Sequence, residues 1–279
     1  MAAFDDDDFL AFLIETALAA GREIMAVYEA GEIAVAHKAD ASPVTLADER
    51  AEAVILAALA AYAPGVPVVA EEEVAAGRVP ETAERFFLVD PLDGTREFIG
   101  RNGEFTVNIA LIEAGTPVAG VVYAPALGSV FAGIARGDSR RAVRASVTGG
   151  TAGALEPIAV RACGEGVVAV GSRSHDTAET RTYLARYPVS DYRAAGSSLK
   201  FCLVAGGEAD LYPRFGRTME WDTAAGDAVL RAAGGKVVTV DGAPLAYGKR
   251  NQRGDCDFAN PAFIAAGPLA LVTHDDTVS

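Results

Sequence analysis

The run Phe86-Phe87-Leu88-Val89-Asp90-Pro91-Leu92-Asp93-Gly94-Thr95 restricts the folds open to this chain more than any other stretch. Four consecutive apolar residues without polar alternation describe a short strand covered on both faces, which demands a layer of structure above it and another below. Pro91 biases Asp90 towards an extended backbone and carries no N–H, so the strand is expected to stop at Asp90. Gly94 is free to take positive φ, and a sharp turn there would aim the Asp90 and Asp93 carboxylates and the Leu92 carbonyl at one point. An isolated Asp-x-x-Asp at a strand end, however, usually just caps the helix that follows.

Two further acidic sites in similar surroundings shift that balance. Glu71 and Glu72 follow Val66–Ala70, which reads as a strand, and Asp222 lies where Glu220–Asp227 opens a helix. Carboxylate and carbonyl oxygens suit Mg²⁺, which keeps waters and substrate phosphate oxygens in its octahedral shell, so a few scattered acids can suffice. Cys163, Cys202 and Cys256 are odd in number and contain no CxxC, which predicts reduced, structural thiols and neither a disulfide framework nor a zinc site.

The chain has 279 residues, 51% of them hydrophobic, enough for one large domain or two tightly joined ones. A net charge of −14 would repel a polyanion, so no nucleic-acid polymer is expected as a partner. Metal ions held by the acids would invert the local field and admit a small phosphorylated molecule. No window approaches the roughly 20 apolar residues of a membrane span. Asp5–Asp8 stand where a secretory signal would be basic, which predicts a cytoplasmic location and leaves peripheral association with an inner membrane open.

Apolar spacing predicts a helix over Asp5–Ala30 ended by Gly31, a strand at Ile33–Lys38, a loop at 39–45 and a helix through Leu46–Tyr62 closed by Pro64-Gly65. A variable loop is expected from Glu73 to Glu84. Phe105–Ile112, Pro117–Tyr123 and Val130–Ala135 read as an antiparallel sheet turning at Ala114-Gly115, and Arg136–Glu156 as a hairpin tip or linker. Beyond a boundary near Val160, strands at Val167–Gly171, Asp210–Tyr212 and Gly235–Val240 alternate with helices at Ala178–Arg186, Ser197–Ala205 and Thr223–Ala233. That alternation makes the C-terminal half α/β.

Glu71-Glu72, Asp90–Thr95 and Trp221–Gly226, in that order and spacing, resemble the signatures of the lithium-sensitive, magnesium-dependent phosphatases that include inositol monophosphatase. The resemblance spans nearly the whole chain. Lys38–Thr45, Glu97–Asn108 and Gly196–Ala205 are similar to the bacterial 3'(2'),5'-bisphosphate nucleotidases of sulfate assimilation within that family. The family implies a mixed α/β (α+β) chain in a layered αβαβα sugar-phosphatase fold, with an antiparallel N-terminal sheet (1–160) and a smaller C-terminal α/β half (161–279). It further implies removal of the 3'-phosphate of adenosine 3',5'-bisphosphate, with its sulfated form as a second substrate, or hydrolysis of an inositol or sugar phosphate instead. Ala70 departs from the Ser common in relatives, and 136–156 and Thr273–Ser279 match poorly.

The resemblance implies two or three Mg²⁺ ions held by Glu71, Asp90, Asp93, Asp222 and the Leu92 carbonyl, with water attacking phosphorus in line. Glu71 and Thr95 would orient that water. Asp48 would assist through Thr95 or a further metal, although Thr45-x-x-Asp48 also fits a capping box. Leu92, Asp93, Gly94, Thr95 and Asp222 would contact the scissile phosphate, and Lys200 and Arg214, with Ser197 or Ser198 nearby, the 5'-phosphate. Without the resemblance, Lys200 reads as a solvated helix residue and Arg214 as a surface turn residue. Trp221 fits core packing behind Asp222 better than stacking on adenine, and His175 reads as a loop residue. The partner is then a small nucleotide bisphosphate, and a homodimer stays open.

Overall fold

The computed structural model describes residues 5–30, 35–37, 43–137, 139–172 and 177–272. Gly31, part of the Ile33–Lys38 strand, most of the Lys38–Thr45 segment, His175 and the Thr273–Ser279 tail lie outside the described residues.

Helix α1 (Asp6–Glu29) begins on Asp5, whose side chain accepts from the Asp7 and Asp8 N–H groups. Strands β1 (Val35–His37) and β2 (Pro43–Thr45) pair antiparallel and precede α2 (Leu46–Tyr62). Then come β3 (Val68–Ala70), α3 (Glu71–Ala75), β4 (Arg85–Asp93), α4 (Thr95–Ile99), β5 (Thr106–Glu113), β6 (Thr116–Ala124) and β7 (Ser129–Arg136). Strands β8 (Ser139–Thr148), β9 (Thr151–Ala152) and β10 (Glu156–Pro157) complete the first sheet. Its order is β10-β8-β7-β6-β5-β4-β3, with β9 paired to β8. All pairs are antiparallel except β3 with β4.

The C-terminal half contains β11 (Val167–Ser172), α5 (Ala178–Leu184), β12 (Val189–Ala195), α6 (Leu199–Ala205), β13 (Leu211–Arg214) and β14 (Thr218–Met219). It continues with α7 (Glu220–Ala232), β15 (Lys236–Thr239), β16 (Ala259–Asn260) and β17 (Phe263–Ala266). The second sheet runs β12-β11-β13-β17-β15, and β14 pairs separately with β16.

Three apolar seams join five layers, the αβαβα order expected. Phe9, Leu13 and Ile24 of α1 and Ile55 and Leu59 of α2 meet Phe87, Val89, Ile109 and Val121 on one face of the first sheet. Phe86, Leu88, Ile112 and Val122 on its other face meet Phe201 of α6, Trp221 and Val229 of α7, and Phe263 of the second sheet. Val167, Ala169, Leu211 and Ile264 then meet Tyr183 and Leu184 of α5. The Phe86–Val89 run is therefore apolar throughout because successive side chains enter different seams. Helix α7 seats closely on the sheet: a Cβ at Gly120 would lie 2.9 Å from the Ala225 carbonyl, and one at Gly133 2.8 Å from Ala232 Cβ.

Several boundaries differ from those read in the sequence. Strand β4 does not stop at Asp90: Asp90 pairs with Asn108, a bulge follows, and Asp93 pairs with Thr106. Pro91 falls inside the bulge, where its missing N–H costs no ladder bond. The 136–156 stretch is a ten-residue strand and two short ones, not a tip or linker; β8 buries Ala142, Val143 and Ala145 and exposes Arg140, Arg141 and Arg144. Helix α3 takes the first residues of the 73–84 loop, and residues 43–45 form β2. Helix α6 starts at Leu199, two residues later than read, and β12 and β17 had no counterpart in the sequence reading. Of the thiols, none is paired; Cys202 is buried, while Cys256 is exposed and does not pack as a structural residue would.

Candidate metal centre and cleft

Parallel strands end on the same side of a sheet, so β3 delivers Glu71 and β4 delivers Asp90 to one edge. The first turn of α7 brings Asp222 to that edge from the opposite layer. Glu71, Asp90 and Asp222 each offer an oxygen within 4.8 Å of the other two. The Leu92 N–H donates to Asp90 Oδ1 at 3.0 Å, and Gly94 has φ +92°, the left-handed turn expected of it. Asp93 lines the same cleft, its Oδ2 3.4 Å from Asn108 Nδ2.

These acids are poorly solvated. Burial, with Glu71 and Glu97 adding to it against the pull of Lys200, pushes the Asp93 carboxyl up to about 6. Burial, then the Asp93 and Glu71 charges, raise Asp222 well above the usual carboxylate range, although its Oδ2 accepts the Met219 N–H at 2.8 Å. Buried, mutually repelling carboxylates with only oxygen donors fit a divalent cation, which would relieve both burdens.

Asp48 Oδ2 accepts the Thr45 N–H at 2.8 Å and the Thr45 hydroxyl at 2.7 Å, so the capping box is real. Its Oδ1 also lies 3.4 Å from Thr95 Oγ1, which is 3.4 Å from the Leu92 carbonyl. Capping and contact with Thr95 therefore coexist in one side chain.

The cleft encloses about 300 Å³ and is lined by Glu71, Asp93 and Asp222 together with Lys200, Arg214 and Arg217. Lys200 is buried; its Nζ donates to the Ser197 carbonyl at 2.5 Å and the Ala195 carbonyl at 3.3 Å, leaving one of three N–H groups for a ligand. Burial lowers its pKa to about 8 despite Asp93 nearby. Arg214 Nε donates to the Gly216 carbonyl at 3.0 Å, which fixes the guanidinium against its own turn. Neither cation is a plain surface residue. Ser197 and Gly94 also line the cleft, and Trp221 packs in the second seam, its ring 6.1 Å from that of Phe258.

Sequence reasoning assigned no role to Arg96, Glu97 or Arg217, all lining the cleft. It also missed Glu52, whose Oε2 accepts the Glu72 N–H at 2.9 Å, and Asn108 beside Asp93; Ser198, offered with Ser197 for the 5'-phosphate pocket, donates its hydroxyl to the Asp222 carbonyl at 2.7 Å. For Asn108 a signal existed, since antiparallel pairing places it opposite Asp90. Glu52 depends on a contact between distant segments.

A family model described as the inositol monophosphatase family matches residues 5–265. The 3'(2'),5'-bisphosphate nucleotidase CysQ of Escherichia coli strain K12 is 46% identical over 245 residues, covering 88% of this chain and 94% of that protein. CysQ of Salmonella typhimurium is 47% identical with the same coverage of 88% and 94%. The crystal structure of CysQ from Bacteroides thetaiotaomicron, described as a bacterial member of the inositol monophosphatase family, superposes with a TM-score of 0.76 at 38% identity, covering 94% of this chain and 98% of that one. Inositol monophosphatase from Anabaena gives 0.69 at 27% identity, covering 93% and 90%.

Proposed function

The chain belongs to the inositol monophosphatase family, and from that premise we propose that it is a 3'(2'),5'-bisphosphate nucleotidase, a metal-dependent phosphatase that hydrolyses the 3'-phosphate of adenosine 3',5'-bisphosphate to AMP and phosphate. The observation that carries this reading is the meeting of Glu71, Asp90 and Asp222 oxygens within 4.8 Å at a cleft also lined by Lys200, Arg214 and Arg217. The acids suit metal ions and the cations a second phosphate, as a bisphosphate requires.

Glu71, Asp90, Asp93, Asp222 and the Leu92 carbonyl hold two or three Mg²⁺ ions in this proposal. When bound, such ions lower the pKa of water and neutralise charge developing on phosphate oxygens. Glu71 and Thr95 orient the attacking water, and Asp48 holds Thr95. The Gly94 and Thr95 N–H groups bind the scissile phosphate, and Lys200, Arg214 and Ser197 line the pocket for the 5'-phosphate. The division near Val160, a cytoplasmic role in sulfate assimilation and turnover of the sulfated nucleotide belong to the same proposal.

Phosphate release from adenosine 3',5'-bisphosphate and from inositol 1-phosphate, each with and without Mg²⁺, tests it. The expected result is Mg²⁺-dependent turnover with much the higher kcat/KM on the nucleotide. A preference for the inositol ester would overturn the substrate assignment, and turnover unaffected by chelator would overturn the metal centre.

A further inference from the structure

The turn Gly196-Ser197-Ser198 between β12 and α6 touches both acidic segments of the cleft. Ser197 Oγ lies 2.7 Å from the Asp93 carbonyl and 2.8 Å from the Glu104 carbonyl. Ser198 Oγ lies 2.7 Å from the Asp222 carbonyl, in the same C-terminal half, whereas Asp93 and Glu104 belong to the N-terminal one. The Gly196 N–H donates to Glu104 Oε2 at 2.9 Å, and Lys200 Nζ holds the Ser197 carbonyl at 2.5 Å. One short turn thus ties the end of β4 to the start of α7.

Local preference does not account for this arrangement. Ser197 has φ +47°, a left-handed conformation that non-glycine residues adopt at a cost, and such strain persists only where surrounding contacts hold it. Ser198 is the N-cap residue of α6 but makes no side-chain bond to that helix; its hydroxyl goes to Asp222 instead. The fit is close: a Cβ at Gly94 would lie 2.3 Å from Ser197 Oγ, and one at Gly196 2.6 Å from the Glu104 carbonyl.

A serine hydroxyl has one proton to give. That of Ser197 is shared between the Asp93 and Glu104 carbonyls and that of Ser198 goes to the Asp222 carbonyl, so both hydroxyls are committed to the main chain that carries the acids. We infer that Ser197 and Ser198 are positioning residues, a clasp that fixes the separation of Asp93 and Asp222 and thereby sets the affinity of the cleft for divalent cations. This rests on the phosphatase reading above for the identity of the cation as Mg²⁺. The clasp acts on metal binding before any nucleotide arrives.

The test uses full-length, metal-free protein and Mn²⁺ as a paramagnetic stand-in for Mg²⁺, with free ion counted by electron paramagnetic resonance and no nucleotide present. Thermal midpoints are taken on the same samples. Ser197→Gly is the decisive variant, because glycine accepts the positive φ while removing the hydroxyl. The metal-free variant is expected to melt at or above wild type and yet bind Mn²⁺ roughly tenfold more weakly, as loss of a group that orients a ligand does. Ser198→Ala is expected to weaken Mn²⁺ binding by roughly the same factor, while KM for the nucleotide at saturating metal stays within about twofold of wild type. Wild-type Mn²⁺ affinity in both variants would overturn the clasp and leave the phosphatase reading standing. A wild-type protein that took up no Mn²⁺ would overturn both.

Discussion

Asp93 carries the sharpest residue-scale expectation, because its carboxylate is buried beside Glu71 and Lys200 and lines the cleft. Asp93→Asn should lower kcat by more than the roughly 10–100-fold seen when a mere orienting partner is lost, and steady-state phosphate release measures it. Glu52 offers a pH-dependent test. Burial, followed by the charges of Glu73 and Glu71 and opposed by the Glu72 N–H, raises its carboxyl from 4.5 to about 7. Its folded pKa lies above the unfolded value, so its contribution to stability is fully present below pH 4.5 and is lost as pH rises through about 7. Glu52→Gln cannot undergo that loss. In chelator, the melting temperature of Glu52→Gln relative to wild type should rise between about pH 5 and pH 8, and a constant difference would contradict the assignment. The acids that converge on the cleft were legible in the sequence because each ends a strand or opens a helix. The contacts of Glu52 with Glu72 and of Ser198 with Asp222 were not, because each acts on a residue remote in the chain, and only tertiary structure makes them neighbours.

At the scale of elements, α7 holds Asp222 by resting almost directly on sheet backbone. Gly120→Val would place its Cβ 2.9 Å from both the Ala225 carbonyl and Ala228 Cβ, so α7 must move outward. Overpacking of this kind costs about 1–3 kcal/mol, and here it should also raise the Mg²⁺ concentration needed for half-maximal rate. Denaturant unfolding and a metal titration read the two effects; destabilisation without any change in metal requirement would mean that Asp222 is not held by this contact. The central helices and the β5–β7 meander were readable from their periods. Strand β8 was not, since its outward arginines and small inward residues gave little hydrophobic contrast. Six of the seven residues of β12 are exposed, so it has no apolar face to betray it, and Phe263–Ala266 is too short a run to distinguish strand from helix. Strand β4 overran its predicted end because a bulge absorbs Pro91.

For the whole molecule, the second apolar seam draws side chains from both sides of Val160, and the acids of the cleft come from both sides as well. A cation bound there joins the two halves, so its removal should loosen the entire assembly. Any ligand specific to the folded state stabilises by an amount set by its concentration, about 2.7 kcal/mol at a hundred times Kd. Adding chelator should therefore lower the melting temperature and restoring Mg²⁺ should recover it, with no such response in a variant lacking both Asp90 and Asp222 carboxylates. The five-layer order was implied by the family resemblance, while the residues themselves indicated only a Phe86–Val89 strand covered on both faces and the α/β alternation of the C-terminal half.

The borders of the two sheets bear on behaviour at high concentration. The first ends in β3, three residues long, and β10, two residues long; the second ends in the four-residue β15 and in β12, which carries Asp191 and Arg193. Borders this brief or this charged make poor templates for a foreign strand. A chain so rich in sheet is thereby guarded against fibril growth from its native state.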